Sequence, residues 1–423
     1  NGRLSPTPQP ALDADARLDV TGAAFLYADG DGDADLYVVS GSNEEPAGSD
    51  YYQDRLYLND GTGRFTRKAD ALPRETESGA AVRPFDYDGD GDLDLFVGGR
   101  VTPGRFPETP RSLVLQNDGG TFRDVTARVA PDFARCGMVT DLQFADLNGD
   151  GKAELIACGE WMPLKVFSFD GKAYADASAK YGLEKTGGLW NCLTVADFDG
   201  DGDLDLAAGN EGLNTRLRAS PGAPLRLFAL DFDLNQSLDP VVAFADEGRY
   251  YPLAQRNELA AQMPNLVKSK FLRYRAYAAG PIEDVLEVKK LRAAQRLEVD
   301  MLESARFENV QGKLVRHALP VAAQISCTKA MLAADFTGDR KTDFILLGND
   351  TNNTPETGPY DASRGVLLSG DLGGAGGLMP LTYEMHGLWA VGDIRSAVIL
   401  NAANGKRLLV AGANDAGLQG WFF

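Results

Sequence analysis

The sequence predicts an all-β repeat fold, and three features carry that expectation: an acidic loop that recurs six times, an apolar strand after each loop, and tight-turn hairpins between successive loops. At its cleanest the loop reads DYDGDGDLDLFVGG from Asp86 and DFDGDGDLDLAAG from Asp197; the others begin at Tyr27, Asp146, Asp231 and Asp335. The starts are separated by 59, 60, 51, 34 and 104 residues.

Each element has a local signature. Val195-Ala196 before the fourth loop and Leu206-Ala207-Ala208 after it read as inner strands of a sheet. The hairpins are visible as DRLYLNDGTGRFT (54–66), SLVLQNDGGTFRDVT (112–126) and LKVFSFDGKAYADA (164–177). Asn-Asp-Gly and Asp-Gly between alternating apolar residues are tight-turn signals. Four strands per repeat, arranged radially, make a β-propeller. Six predicted blades carry an acidic loop, and a seventh without one is expected at 393–414, with an Asn-Gly turn, so seven blades are expected within residues 19–423. Residues 1–18, beginning NGRLSPTPQP, read as a Pro-rich linker. The long gap holds a different pattern: residues 255–297 have helical spacing and are expected as a helical insertion in blade five, between its second and third strands. Its basic residues (Lys268, Lys270, Arg273, Arg275, Lys289, Lys290 and Arg292) suit either a partner surface or packing over one face of the fold.

The chemistry of the loop is that of a hard cation. Calcium takes six to eight oxygen ligands, which short loops supply as alternating carboxylates, a backbone carbonyl and a distal acid. In the second loop Asp86, Asp88 and Asp90 fill positions one, three and five, the carbonyl of Asp92 position seven and Asp94 position nine, with Gly91 at the turn. The fourth matches fully: Asp197, Asp199, Asp201, the carbonyl of Asp203, and Asp205. The third offers Asp146, Asn148, Asp150, the carbonyl of Lys152, and Glu154. The fifth offers Asp231, Asp233, Asn235, the carbonyl of Ser237, and Asp239, with Gln236 in place of the turn glycine. The sixth has Asp335, Thr337, Asp339, the carbonyl of Lys341, and Asp343, with Arg340 at the turn. The first has Tyr27 where position one should be, which leaves Asp29, Asp31 and Asp35 with the carbonyl of Asp33. Several structural calcium ions are therefore the expected cofactors.

Composition narrows the function. The net charge is −19, and 23 of the 61 acidic residues lie in the six loops, so the acidity reads as demand for metal. It argues against nucleic acid, whose phosphates require a basic face. No apolar run is long enough to span a membrane. The four cysteines form no CxxC pair; Cys158 with Cys192 is the candidate disulfide, and free buried thiols are the alternative. His317 and His386 stand in no metal-ligand spacing, which leaves histidine-based general base chemistry poorly supplied. Extracellular calcium modules need roughly 0.1–1 mM metal, which places the chain as secreted, periplasmic or at the cell surface.

The loops resemble those of FG-GAP/VCBS repeat proteins, whose propellers are similar to the integrin α-subunit head. The resemblance extends to bacterial envelope proteins with UnbV/ASPIC-type segments through YQDRLYLNDGTGRF, DGDLDLFVGGRVTPGRFPETPRS, GEWMPLKVF, DFDGDGDLDLAAGNEGLNT and YDASRGVLLSG. It implies envelope placement, further domains upstream, association with SusC/SusD-type outer-membrane uptake systems, and binding; it implies no catalytic residue. The leading expectation is a calcium-stiffened, non-enzymatic scaffold that presents loops to a surface protein or a glycan. Trp161, Trp190, Tyr360 and Trp389 are its candidate contact aromatics, and GPYDASRG (358–365) a candidate loop at the mouth of the ring. Metal-dependent adhesion differs from this only in the partner. The alternative is a calcium-assisted polysaccharide lyase or dehydratase, which needs a convergent Lys, Arg, Tyr or His group beside a metal.

Overall fold

A computed structural model of the chain describes residues 7–354, 357–370, 377–402 and 405–423. Residues 1–6 of the expected linker and Asn404 of the expected Asn-Gly turn lie outside them. The described residues form an all-β fold of seven antiparallel sheets with a few short helices.

Six sheets follow one another in the chain. Their first strands are Val20–Leu26, Ser78–Phe85, Met138–Ala145, Cys192–Ala196, Thr328–Ala334 and Ile394–Asn401, and each of these packs beside the next. The close approach depends on glycine, since a Cβ on Gly22 would lie 2.4 Å from the Ala80 carbonyl oxygen and one on Gly98 2.5 Å from the Val139 side chain. Apolar clusters fill every junction from the first sheet to the sixth. Leu95, Phe96, Leu155, Leu206 and Phe344 are wholly buried in them, and each such side chain contributes about 1.5–3 kcal/mol. No such cluster joins the sixth and first sheets among the described residues, and their first strands leave Val398 and Phe25 exposed.

The acidic loops sit at one structural position. The residue preceding the loop pairs across the sheet with position nine: Leu26 with Asp35, Phe85 with Asp94, Ala145 with Glu154, Ala196 with Asp205, Leu230 with Asp239, and Ala334 with Asp343. Each loop thus closes a hairpin between the first two strands of its ladder.

The fifth loop is the exception to the succession, and it corrects the expected blade order. It joins Leu225–Leu230 to Asp239–Asp246 in a sheet completed by Arg249–Pro252 and Gln295–Val299. That sheet is inserted into the fourth, whose second and third strands, Asp205–Gly209 and Ala305–Val310, pair directly through Leu206 and Phe307. The strands at 394–413 are accordingly the sixth in succession, not a seventh blade. The helices Arg256–Gln262, Pro264–Lys270, Tyr274–Ala278, Ile282–Val285 and Val288–Ala293 lie between the third and fourth strands of the inserted sheet in chain order, not between the second and third. Glu258 accepts the Gln255 N–H at 2.7 Å as part of a capping box that starts this run. The apolar face of these helices, with Leu259, Met263, Val267 and Ile282, packs on Phe228, Phe232 and Val241 of the same sheet.

Candidate metal sites and central cavity

Within the five loops that begin with Asp, two kinds of carboxylate do different things. Position one folds the loop. Asp86 accepts the N–H groups of Gly89 and Gly91 at 2.7 and 3.1 Å, and Asp197 those of Gly200 and Gly202 at the same distances. Asp146, Asp231 and Asp335 cap their own loops in the same manner. Position nine ties the loop to its sheet. Asp94 accepts the N–H of Tyr87 at 3.3 Å and of Asn117 at 2.8 Å, and Asp205 those of Phe198 at 2.9 Å and Asn309 at 2.7 Å. Asp35, Glu154, Asp239 and Asp343 are likewise buried and hydrogen-bonded to the N–H of position two.

The backbone repeats even where glycine does not. Positions four and six take positive φ in all six loops, including Leu234 at 64°, Gln236 at 74° and Arg340 at 70°. The fifth and sixth loops therefore hold the same turn as the cleaner copies, with side chains in a conformation that costs about 1–2 kcal/mol each.

Four loops bring three carboxylates together with ligand oxygens within 4.8 Å of one another: Asp86, Asp88 and Asp90; Asp197, Asp199 and Asp205; Asp231, Asp233 and Asp239; and Asp335, Asp339 and Asp343. Among the described residues the first and third loops form no such group. In the third, Glu154 is occupied by the Asn148 side-chain amide at 2.6 Å. Burial first, and then neighbouring carboxylates, push Asp94 up to about 7 against the pull of its N–H donors. Asp203 is pushed up to about 6, by burial and then by Asp201. Its Oδ1 and that of Asp233 are buried without a hydrogen-bond partner. These crowded, partly unpartnered oxygens are the donor set a hard divalent cation requires, so the residues present fit calcium. The Asp203 carboxylate was not foreseen, since only its carbonyl was assigned a role; a carboxylate at position seven is visible in the sequence, but its orientation is not.

The candidate aromatics part company. Trp190 is fully buried and donates its indole N–H to the Thr186 carbonyl at 2.8 Å, so it belongs to the core and is not a contact residue. Tyr360 is half-buried, its hydroxyl 3.1 Å from the Thr215 hydroxyl. Trp389 is exposed, with the Tyr383 ring 5.1 Å away and the Arg364 guanidinium over its face. Arg364 holds the 358–365 turn through the Asp361 carbonyl oxygen at 2.8 Å. All four cysteines are free thiols, Cys158, Cys192 and Cys327 buried, so the candidate Cys158–Cys192 bridge does not form. Among the described residues no helix is long and apolar enough to cross a membrane.

A cavity of about 510 Å³ is lined by Thr21, Ala80, Thr140, Lys329 and Arg395 from five of the six first strands and by Asn191, which directly precedes the remaining one. Trp161 also lines it. A radial arrangement is expected from the repeats, but of the residues lining this cavity sequence reasoning singles out only Trp161.

No curated protein matches the sequence. Among solved structures the chain is similar to the Vibrio cholerae biofilm matrix protein Bap1 (13% identity, TM-score 0.34, covering 93% of this chain and 74% of that one). It is also similar to an Agrocybe aegerita lectin described as recognising non-reducing terminal N-acetylglucosamine (15%, 0.32, 85% and 79%) and to BBS1N in complex with ARL6DN (8%, 0.34, 95% and 91%). The family model for the FG-GAP-like repeat matches residues 1–97 and 146–208, which hold the first four acidic loops. Over those residues the chain is similar to the FG-GAP-like repeat, which supports the resemblance read from the loops.

Proposed function

We propose that residues 19–423 are a calcium-stabilised β-propeller that acts outside the cytosol as a non-enzymatic scaffold, presenting its loops to a surface protein or a glycan. The observation that carries this reading is the crowding of three carboxylates in each of four loops, with buried, unpartnered oxygens at Asp203 and Asp233. Succession of six sheets around one cavity supports the propeller, with the inserted sheet and its helices standing outside the ring. The acids serve the fold: position one shapes five of the six loops and position nine fastens every loop to its sheet, so a bound cation stiffens the rim between blades. Millimolar calcium outside the cytosol suits such weak sites, and attachment to an outer-membrane uptake system is one setting for them.

The test is a thermal melt in millimolar calcium and again after EGTA. A site held at 100 times its Kd adds about 2.7 kcal/mol to the native state. Chelation should therefore lower the melting midpoint and calcium restore it, while magnesium at equal concentration restores less. An unchanged midpoint after exhaustive chelation would refute the calcium reading. Affinity capture from the native cell envelope with and without calcium then identifies the partner.

A further inference from the structure

The central cavity holds features that the calcium loops do not explain. Its cations are already engaged: Arg100 pairs with Glu160 at 2.5 Å, while Lys329 and Arg395 both pair with the buried Asp393, at 3.0 and 2.6 Å. Two further carboxylates line it. Asp350 reaches Lys329 at 3.9 Å and accepts the Asn352 N–H at 3.1 Å, and among the described residues Glu211 accepts no hydrogen bond. Four carboxylates thus face three cations around this space. The aromatic at its wall is held under strain. Trp161 has φ of 58°, a left-handed conformation that costs a bulky residue of order 1–3 kcal/mol. It stands where the register of Glu154–Met162 against Gly188–Leu189 shifts, a bulge that re-aims a side chain. One side of it rests on Leu225, Val299 and Leu302.

We propose that this cavity is a binding site for an uncharged sugar residue of a glycan, with Trp161 as the stacking platform and Glu211 and Asp350 as acceptors for its hydroxyls. A sugar ring offers an apolar C–H face to an aromatic and vicinal hydroxyls to carboxylates. The Thr140 hydroxyl already donates to the Trp190 carbonyl at 2.9 Å and keeps acceptor capacity. The Asn191 amide donates to the Leu189 carbonyl at 3.2 Å and keeps one donor and its acceptor oxygen, a mixture that suits hydroxyls better than a simple cation. The volume lies within the roughly 300–1,000 Å³ typical of small-molecule sites. A uronate finds the lining cations already paired and meets the further carboxylates of Glu211 and Asp350, so the same geometry counts against a uronate lyase. Burial, with the Asp350 charge next and against the pull of Lys329, pushes Glu211 up to about 7, in keeping with a group that lacks a partner.

The inference rests on the reading of the chain as a binding module, but not on its calcium. The experiment is a glycan array of neutral, amino and uronate oligosaccharides probed in millimolar calcium, followed by calorimetric titration of the best neutral trisaccharide. Neutral glycans should bind; Trp161→Ala should weaken the titrated one at least tenfold; the isosteric Glu211→Gln should weaken it several-fold; Val321→Ala, at an exposed position that does not line the cavity, should leave it unchanged. Circular dichroism and the melting midpoint of each variant in calcium establish that the fold is retained, which separates failure here from failure of the calcium reading. No binding by any neutral glycan, a preference for uronates or for cationic amino sugars, or binding that survives both Trp161→Ala and Glu211→Gln would overturn the proposal.

Discussion

Replacing Asn309 with alanine should destabilise the protein by about 2–4 kcal/mol, because this one side chain joins two sheets. Asn309 is 2% exposed. Its Nδ2 donates to the Leu147 carbonyl at 2.7 Å and the Leu204 carbonyl at 3.2 Å, and its Oδ1 accepts the Gly312 N–H at 3.0 Å. Leu147 belongs to the acidic loop of the third sheet, whereas Asn309 and Leu204 belong to the fourth, so the first bond crosses the junction. Truncation leaves the buried Leu147 carbonyl without a donor, and each orphaned buried polar group costs about 1–3 kcal/mol. The Gly312 N–H and Leu204 carbonyl, closer to solvent, add less. Asn59 provides the contrast: its amide reaches Ala34 at 3.1 Å within its own sheet, so Asn59→Ala should cost about 1 kcal/mol. Urea unfolding in saturating calcium, followed by far-ultraviolet circular dichroism, gives both values from the midpoint at constant slope. A loss below about 1 kcal/mol for Asn309→Ala, or one no larger than for Asn59→Ala, would refute the argument that the amide fastens neighbouring sheets.

Two further outcomes follow from the loops and from a buried acid. Gln236→Gly relieves a left-handed residue whose side chain is exposed; after the larger unfolded-state entropy of glycine is subtracted, a gain of about 0.5–1 kcal/mol is expected in the urea midpoint, and a loss would show that the Gln236 side chain makes a compensating contact. Asp54 is buried against the Tyr37 hydroxyl at 2.6 Å and the Ser40 N–H at 2.7 Å, and burial pushes its carboxyl up to about 7 from 3.8. The native state therefore holds this proton more tightly than the unfolded chain; its contribution is fully present below about pH 4 and is lost as pH rises through about 7. Asp54→Asn should flatten that part of the stability–pH profile, and urea midpoints at pH 5 and 8 that move equally in both proteins would contradict the assignment.

How much of this was legible in the sequence depends on the range of the interaction concerned. The loops were legible because they are local: carboxylates at alternate positions and glycine at positive φ are enforced within nine residues, and Asp86 and Asp197 cap their loops accordingly. Hairpins were legible for the same reason, since Asn-Asp-Gly specifies its own turn. Yet the asparagine that the turn signal flagged at 117 also donates its amide to Ala28 of the preceding sheet at 2.9 Å, a role no local pattern contains. The place of the fifth loop was decided by tertiary pairing: Leu206 pairs with Phe307 across a hundred residues, and this ladder, not the spacing of motifs, excludes the inserted sheet from the succession. The short 34-residue interval between the fourth and fifth loops was the trace it left in the sequence, too brief for four strands of the usual repeat. Trp190 and Trp161 look alike in the chain; packing buried one in the core and a bulge turned the other toward a cavity that exists only where six strands meet. The sequence by itself determined the repeated loop and its closely spaced oxygen donors, because those depend on neighbours along the chain. Only the tertiary structure decided the order of the sheets, the carboxylates left unpartnered and the central cavity, because those depend on residues that meet across it.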